Sequence, residues 1–337
     1  MSHHGRLLAL AQEHNVPLDV SIELTHHCNF RCRHCFIPDF NAPDRLSTER
    51  VLTLLDELVE MGTLSLTLTG GELLLRPDWL PIARRARRLG FALRLFTNGA
   101  LIDEDSAAAI QALNAVVEIS LHAMREEIFE KITGCKGSFK KTLSGIELLR
   151  RRNVEVVLKT TIQLENRSEI AAVAAYAAEV GAIHQVYGTI LPKKDGDPGP
   201  IALRLPQNEL KGLLLPVVGE GPSLDRQAPL CAAASRYCAI NSAGDVLACN
   251  VLPGSGGNLR NRSFRDIWEG SPWLNRIREI RAKDLHTCNT CDKLSYCGRC
   301  HAQALLEHGD LYGPSSHARE RAEVIESIRL EQQAEGA

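Results

Sequence analysis

Three cysteines lie within eight residues near the N-terminus, in the segment THHCNFRCRHCF that spans residues 25–36. They are Cys28, Cys32 and Cys35. Structural zinc takes four ligands and disulfides use cysteines in pairs. Three cysteines are one ligand short of a zinc site and an odd number for disulfides. A [4Fe–4S] cluster has four irons that each need a ligand. The three thiolates therefore predict a cluster with one iron left for a ligand that is not protein. A zinc site would instead need His26, His27 or His34 to complete it.

A second group of cysteines lies between residues 231 and 300. Its members are Cys231, Cys238, Cys249, Cys288, Cys291, Cys297 and Cys300. The last four have a spacing that suits tetrahedral zinc as well as it suits an iron–sulfur cluster, so both remain open. Cys135 stands alone between the two groups, in the loop segment ITGCKGSF, and is either an ordinary loop residue or a thiol with a chemical role.

Composition limits the class of protein. The 337 residues carry a formal net charge of −2 and are 44% apolar, so there is material for a core but no basic surface that would attract nucleic acid or a membrane. No apolar run approaches the roughly 20 residues of a membrane span, and the first residues show no secretory signal. These features predict a cytoplasmic protein, in which the eleven cysteines are expected to bind metal rather than to form disulfides.

Between the two cysteine groups, short β-branched runs alternate with longer segments of helical periodicity. The predicted strands are 19–24, 64–69, 91–97, 115–121, 154–162 and 183–190. The predicted helices are 47–61, 78–89, 103–113, 138–152 and 167–180, followed by a turn-rich stretch at 191–200 and by helices from about 301 and over 315–333. The alternation predicts a parallel α/β sheet, either doubly wound or an incomplete barrel.

Residues able to do chemistry follow the ends of the predicted strands. TGGE (69–72) follows the second strand, TNG (97–99) the third and SLH (120–122) the fourth, while KTT (159–161) ends the fifth. Functional groups of a parallel α/β fold gather beyond the C-terminal ends of its strands. Because the cysteine loop follows the first strand, all these segments are expected on one rim.

The set resembles the radical S-adenosylmethionine (SAM) enzymes. CNFRCRHC has the C-x3-C-x2-C spacing of that family, and TGGE matches its methionine-binding motif, within a resemblance that covers roughly residues 18–190. It implies an α/β fold, a partial (β/α)6 TIM-like barrel. It also implies that SAM binds the open iron through its amino and carboxylate groups. The reduced cluster then releases a 5′-deoxyadenosyl radical that abstracts a substrate hydrogen.

The resemblance and the rim position together suggest which residues contact the cofactor. Glu72 would offer its carboxylate to the SAM ammonium, and Gly70 and Gly71 would let backbone groups approach the ligand closely. His34 would lie near the adenine. The full set of predicted cofactor-binding residues is His34, Thr69, Gly70, Gly71, Glu72, Asn98, Ser120, His122 and Lys159. Asn98, Ser120 and His122 would bond the ribose or carboxylate, with a structural role equally open for the last two, and Lys159 would face the carboxylate.

The second cysteine group resembles the SPASM region, which holds auxiliary clusters in some radical SAM enzymes. The segments are CAAASRYCAINSAGDVLAC (231–249) and CNTCDKLSYCGRC (288–300). The resemblance implies a small Cys-rich domain with a β-hairpin and short helices. The chain departs from the usual pattern in two ways. Two residues instead of three separate the last pair of cysteines, and no cysteine follows the Gly-Asp turn in GDLYGPSSH (309–317).

Carried over residue by residue, the SPASM pattern implies two ligand sets. The first auxiliary cluster would take Cys231, Cys249 and Cys300, with Cys238 as a further candidate. The second would take Cys288, Cys291 and Cys297. The missing cysteine leaves three alternatives: His317 replaces it, one auxiliary cluster keeps an open iron, or only one cluster forms. Zinc bound by the last four cysteines is the alternative metal.

These resemblances predict a radical SAM/SPASM oxidoreductase-type peptide maturase, as in RiPP biosynthesis, that installs a crosslink or other modification in a ribosomally made precursor peptide. Cys28, Cys32 and Cys35 would be catalytic through the SAM-binding cluster, and Cys135 would donate a hydrogen that quenches a substrate radical. The expected cofactors are that [4Fe–4S] cluster, SAM and one or two auxiliary [4Fe–4S] clusters. The expected partners are the peptide, a separate leader-binding protein and an electron donor such as flavodoxin or ferredoxin, with no nucleic acid and no membrane.

Two other functions remain as alternatives. One is a radical SAM enzyme of tetrapyrrole or cofactor biosynthesis, and the other is a zinc-stabilised binding protein without catalysis. The predicted domains are an N-terminal extension (1–17), the barrel (18–215) and a SPASM domain with a C-terminal helix (216–337).

Overall fold

One sheet contains all the strands in the described part of the chain. The computed structural model describes residues 2–214, 226–227, 229–295 and 297–335. The strands are β1 Asp19–Glu23, β2 Ser65–Thr69, β3 Ala92–Thr97, β4 Val116–Ser120, β5 Val156–Thr161, β6 Ile183–Tyr187, β7 Tyr237–Ile240 and β8 Val246–Leu247. Their order in the sheet is β6-β5-β4-β3-β2-β1-β7-β8. The six strands predicted from periodicity are therefore confirmed to within a few residues.

The strand order distinguishes between the two predicted architectures. From β1 to β6 each strand pairs in parallel with the strand before it. A doubly wound sheet reverses its winding at a switch point, so its strands would not follow chain order across the sheet. The uninterrupted order confirms a partial (β/α)6 barrel.

The helices that accompany these strands mostly follow the predicted pattern. They are α1 His3–Glu13, α2 Thr48–Glu60, α3 Trp79–Arg88, α4 Glu104–Leu113, α5 Glu126–Thr133, α6 Ser138–Arg151, α7 Ile170–Glu179, α8 Gln207–Leu214, α9 Phe264–Gly270, α10 Pro272–Glu279, α11 His301–His308 and α12 Ser316–Glu335. Ser47 caps α2 by accepting a hydrogen bond from the Arg50 N–H at 3.1 Å. Helix α5 is short and was not predicted. Its Phe129 and Ile132 are fully buried. No helix in the described ranges has the length and apolarity needed to cross a membrane.

Alternation along the strands separates the core from the barrel interior. Apolar side chains with no exposed surface pack towards the helices: Val20, Ile22, Leu66, Leu68, Val117, Ile119 and Leu158. Mostly polar side chains of the opposite parity line the interior: Glu23, Thr69, Phe96, Glu118, Ser120, Lys159 and Thr161. The strands thus give the chamber a mostly polar wall, and the interior is not filled by their side chains, which leaves room for a ligand.

The cysteine-rich region is joined directly to the barrel sheet. Strand β7 pairs in parallel with β1, and β8 returns antiparallel to β7 as the predicted hairpin. Gly244 takes a φ of +92° in the hairpin turn, a conformation that glycine adopts readily. The division between a barrel and a separate SPASM domain is therefore not reflected in the sheet. The predicted boundary at 215/216 lies outside the described residues.

Candidate active site

A cavity of about 480 Å³ opens at the C-terminal ends of the strands. All but one of the residues predicted to bind the cluster or SAM line it: Cys28, Cys32, His34, Cys35, Thr69, Gly70, Gly71, Asn98, Ser120, His122 and Lys159. The exception is Glu72. Asn250 and Val251, which directly follow Cys249, also line this cavity, so the second cysteine group borders the barrel chamber.

The cysteine loop is held in place by its backbone. The N–H of Gly71 donates to the Thr25 carbonyl, and the N–H of Glu72 to the His27 carbonyl, each at 2.7 Å. On the other side of the loop the Arg31 N–H donates to the Thr133 carbonyl at 2.8 Å, so α5 supports the loop. These bonds fix the loop independently of its cysteine side chains.

The three thiols of the loop lie near one another at the cavity wall. Burial raises the pKa of the Cys28 thiol to about 11, and the Glu72 carboxylate and the Cys35 thiol contribute to that rise. Burial likewise raises the pKa of Cys32, with Cys35 and Cys28 adding to the rise. Such thiols are protonated when no cation is near, so a metal that takes them as thiolates must displace their protons.

The two glycines of TGGE are required for a reason that differs from the prediction. A Cβ on Gly71 would lie 2.4 Å from the carbonyl oxygens of both His26 and His27, and a Cβ on Gly70 would lie 2.4 Å from that of Thr25. Both glycines line the cavity, but it is the backbone of the cysteine loop that excludes a side chain there. The motif therefore positions the loop as well as bordering the ligand space.

We expect Gly71→Ala to displace the cysteine loop, because two carbonyl oxygens must move away from the new methyl group. Overpacking of this kind costs about 1–3 kcal/mol of folding free energy, and the SAM-binding cluster should assemble poorly. Iron per chain and thermal unfolding measure the two effects. Gly212→Ala on α8 is the matched control, since nothing lies within 4 Å of the added Cβ. Equal iron content in the two variants would contradict this role for Gly71.

Glu72 lies beneath the cavity instead of facing it. Its carboxylate accepts hydrogen bonds from the Thr97 hydroxyl at 2.6 Å, the Asn98 N–H at 2.7 Å and the Leu74 N–H at 3.1 Å. Only 1% of the residue is exposed. The expected direct contact with the SAM ammonium is therefore not the arrangement that the structure presents. Glu72 instead fixes the TNG segment, whose Asn98 side chain donates to Asn29 of the cysteine loop at 2.7 Å.

His34 and His122 form one wall of the cavity, with their rings edge to face and 4.7 Å between centroids. Burial lowers the pKa of His34 to about 4 and that of His122 well below its usual value. Both imidazoles are therefore neutral at neutral pH. Nδ1 of His34 is buried without a hydrogen-bond partner among the described atoms, which leaves it free to bond a ligand. This unsatisfied nitrogen fits the predicted place beside an adenine.

Lys159 is engaged by residues that the sequence analysis missed. Its ammonium contacts the Glu118 carboxylate of β4 and lies 4.0 Å from the centroid of the Phe96 ring. Burial lowers the pKa of Lys159 to about 8, with Arg94 contributing. The sequence did contain a signal for this partner. Glu118 is a charged residue in the middle of a β-strand pattern.

A second buried ion pair closes the cavity on the side of β1. Glu23 accepts from Lys194 Nζ at 3.0 and 3.2 Å, and the Lys194 N–H donates to the Phe36 carbonyl at 2.9 Å. The turn-rich stretch 191–200 was interpreted only as a domain end. In the structure it holds the cysteine loop from across the chamber.

Two sets of thiols within the second group of cysteines interact electrostatically. Burial raises the pKa of the Cys249 thiol to about 11, with Cys300 and Cys231 adding to the rise. Burial raises that of Cys297 to about 11, with Cys288 and Cys291 adding to it. We refer to Cys231, Cys249 and Cys300 as the first triad and to Cys288, Cys291 and Cys297 as the second, and their roles as the ligands of two clusters stay a prediction.

Three predicted residues lie apart from these triads. Cys238 is fully buried on β7 opposite Val20, so it faces the helices and packs as a core residue. His317 Nε2 donates to the Gly188 carbonyl at 2.9 Å, so the lone pair of the ring lies on Nδ1, which is buried and has no hydrogen-bond partner among the described atoms. Cys135 packs against the core and is not among the residues that line the cavity. The suggested role of Cys238 as a ligand does not fit its buried position on β7, whereas that of His317 stays a prediction.

The donor sets fit iron–sulfur clusters. Across the described residues no three His, Cys, Asp or Glu side chains converge as ligands of a single metal ion. In a four-iron cluster each thiolate binds its own iron, so its ligands stay farther apart. The three soft thiols of the cysteine loop suit the core cluster. The unpartnered imidazole of His34 and the glycine-lined wall beside them suit SAM.

Two family models match the chain over the regions that carry these sites. Residues 22–177 match the Radical SAM superfamily. Residues 231–292 match SPASM, described as an iron-sulfur cluster-binding domain. The chain belongs to the radical SAM superfamily. This radical SAM/SPASM protein is an enzyme, and the partial barrel, the SAM-binding cluster and the auxiliary iron–sulfur region expected from the sequence are those of its family.

Characterised relatives align over most of this radical SAM/SPASM chain. The AdoMet-dependent heme synthase of Methanosarcina barkeri is 26% identical over 333 residues, covering 88% of this chain and 94% of its own. The subtilosin biosynthesis protein AlbA of Bacillus subtilis is 26% identical, covering 90% and 71%. The PqqA peptide cyclase of Xanthomonas campestris is 29% identical, covering 87% and 84%.

Solved structures confirm the fold. Streptococcus suis SuiB, crystallised with its precursor peptide SuiA, superposes with a TM-score of 0.70 at 16% identity, covering 94% of this chain and 79% of SuiB. The enzyme anSMEcpe, with bound AdoMet and the Kp18Cys peptide, gives 0.69 at 17% identity, covering 95% and 100%. At these identities the likeness concerns architecture alone.

Proposed function

We propose that this enzyme cleaves SAM reductively and modifies a ribosomally made peptide. When bound, the cluster supplies an electron to the sulfonium, and SAM then supplies a 5′-deoxyadenosyl radical that abstracts a substrate hydrogen. The observation that carries the proposal is the single cavity shared by the cysteine loop, the TGGE and TNG segments and the chain next to Cys249.

Some residues of the cavity would bind the cluster and SAM, and others would keep water away from the radical. The thiolates of Cys28, Cys32 and Cys35 would hold the cluster, while Gly70 and Gly71 would border the methionine part of SAM. His34 would pack near the adenine with its free Nδ1. Apolar side chains around them exclude water from the site of the radical: Phe30, Phe36, Ile37, Phe40 and Phe96. Exclusion of water also limits side reactions of a reactive intermediate.

The outer edge of β6 supports a peptide as the substrate. In the described chain β6 ends the sheet, and its apolar Ile183, Val186 and Tyr187 are 53%, 39% and 45% exposed. An extended peptide can pair with such an edge through main-chain hydrogen bonds. Tyr187, Thr189 and Ile190 line the cavity, so a strand added to β6 would lead into it. AlbA, PqqA peptide cyclase and SuiB, all similar to this chain, are named for peptide products or substrates.

The second candidate is a tetrapyrrole substrate. Heme synthases align with this chain over almost their full length, 94% in the Methanosarcina barkeri protein. The ammonium of Lys159, which lines the cavity, would suit a carboxylate of a propionate-bearing tetrapyrrole. For the peptide substrate we also propose a separate protein that binds its leader. We further propose an electron donor, such as flavodoxin or ferredoxin, that reduces the cluster.

Substrate-dependent production of 5′-deoxyadenosine tests the proposal. The reconstituted enzyme, reduced with dithionite, is given SAM with peptides encoded by short reading frames beside its gene, or with an iron tetrapyrrole that carries propionates. We expect one peptide to raise 5′-deoxyadenosine formation above the uncoupled background and to lose hydrogen atoms, measured by mass spectrometry. Stimulation by the tetrapyrrole alone would favour the second candidate. No SAM cleavage under any condition would contradict both.

A further inference from the structure

Arg299 is a buried cation that has no carboxylate partner in the described part of the chain. It lies between Cys297 and Cys300 in sequence and is 6% exposed. Its guanidinium donates to the Gly313 carbonyl at 2.9 Å and to the Leu311 carbonyl at 2.6 Å. A third bond goes to Nδ1 of His301 at 2.9 Å. Arginine can only donate, so that ring nitrogen presents its lone pair, and all three acceptors are neutral.

Asp310, a carboxylate that acts electrostatically on Arg299, is hydrogen-bonded to other groups. Asp310 accepts from the Tyr312 N–H and pairs with His286 Nδ1, each at 2.9 Å, and no ion pair joins it to Arg299 among the described residues. The other arginine that is buried among the described residues, Arg76, is paired with Asp78 at 2.6 Å. A buried charge that lacks a counter-charge is strongly disfavoured, so its counter-charge is expected close by.

The groups that surround Arg299 belong to both cysteine triads. Arg299 lies between Cys297 and Cys300 along the chain. Its backbone N–H donates to the Cys297 sulfur. The guanidinium also interacts electrostatically with Cys288 and Cys300, then with the Asp310 carboxylate and with Cys231. Cys288 belongs to the second triad, while Cys231 and Cys300 belong to the first. Arg299 therefore lies where the two triads face each other.

We propose that Arg299 is the shared counter-charge of the two auxiliary iron–sulfur clusters and that it raises the reduction potential of both. Thiolate ligands give such clusters net negative charge, which reduction increases, so a fixed cation beside them favours the reduced state. Because one guanidinium lies between both triads, it also lowers the repulsion between the clusters. Arg299 is thus a positioning residue that acts through the clusters. The proposal rests on the proposed function, since it requires that both triads hold clusters.

Redox titration of the reconstituted full-length enzyme, followed by EPR, tests the proposal with two variants. Arg299→Met removes the charge and keeps the length of the side chain, whereas Arg299→Lys keeps the charge. We expect the methionine variant to disfavour reduction of each auxiliary cluster by about tenfold, as a unit charge at close range would. For a one-electron couple that change corresponds to about 59 mV. The lysine variant should stay near the wild-type potentials.

The core cluster bound by Cys28, Cys32 and Cys35 is the internal reference, because SAM should change its EPR signal and its potential should not respond to Arg299. Unchanged auxiliary potentials in Arg299→Met would overturn the proposal, as would a shift in only one cluster or equal shifts in both variants. If the methionine variant loses auxiliary iron and the lysine variant keeps it, the charge is needed to hold the clusters and the proposal stands.

Equal loss of iron from both variants would show that the hydrogen bonds to Leu311 and Gly313 matter instead of the charge, and would overturn the proposal. Failure of the proposed function has a different signature. In that case the wild-type enzyme itself shows no SAM-sensitive EPR signal and no 5′-deoxyadenosine. A wild-type enzyme with both properties and with potentials indifferent to Arg299 would refute this inference alone.

Discussion

A chain in which Cys28, Cys32 and Cys35 are all replaced by alanine is expected to stay folded and to form no 5′-deoxyadenosine. The three thiols line the cavity at the end of β1, and the triple variant leaves no ligand for the cluster in that loop. Backbone hydrogen bonds from Gly71 and Glu72 hold the loop without the thiols. The fold should therefore lose little stability, within about 1 kcal/mol for changes at partly exposed sites.

Two measurements check this result. Chromatography after dithionite reduction quantifies 5′-deoxyadenosine, and circular dichroism with thermal unfolding reports on the fold. Cys135→Ala is the matched control, because its thiol does not line the cavity and SAM cleavage should persist. Undiminished 5′-deoxyadenosine from the triple variant would refute the assignment of the loop. Loss of the folded protein would instead favour a metal with a structural role.

Removal of either triad in the second cysteine group is expected to eliminate one auxiliary cluster and about four irons per chain. Replacing Cys231, Cys249 and Cys300 should remove the first cluster, and replacing Cys288, Cys291 and Cys297 the second. The reason is that the thiols interact within each triad, while Arg299 lies between the two. Iron and sulfide analysis together with EPR of the remaining clusters measures the losses.

The fourth ligand of each auxiliary cluster is tested with two variants. His317→Ala should change the EPR spectrum if Nδ1, which keeps the lone pair of the ring, binds iron, and should leave it intact if that iron is open. Cys238→Ala should leave the spectrum intact, since its side chain is buried on the helix side of β7. A spectrum that responds to added small thiols would show an open iron. Zinc bound by Cys288, Cys291, Cys297 and Cys300 in place of iron would contradict the cluster assignment.

Much of the fold was predictable because its signals are local. Alternating β-branched runs fixed the six barrel strands, and Ser47 marked the start of α2 before any tertiary contact was known. The cysteine loop was recognisable because its ligands lie in one short segment. The functional rim followed from a general rule, since the C-terminal ends of parallel strands meet at one edge of the sheet.

The amino-acid sequence by itself determined the elements, the two cysteine groups and the edge at which they meet. Tertiary structure decided which partners those side chains take. The Glu72 carboxylate bonds TNG because β2 and β3 are neighbours, and Lys159 meets Glu118 because β5 pairs with β4. Lys194 reaches Glu23 across 171 residues. Cys238 points away from the clusters because its pairing with Val20 sets the face. The spacing of residues along the chain determines secondary-structure propensity and the type of metal ligand that a segment offers. Strand register and long-range packing set the direction of each side chain.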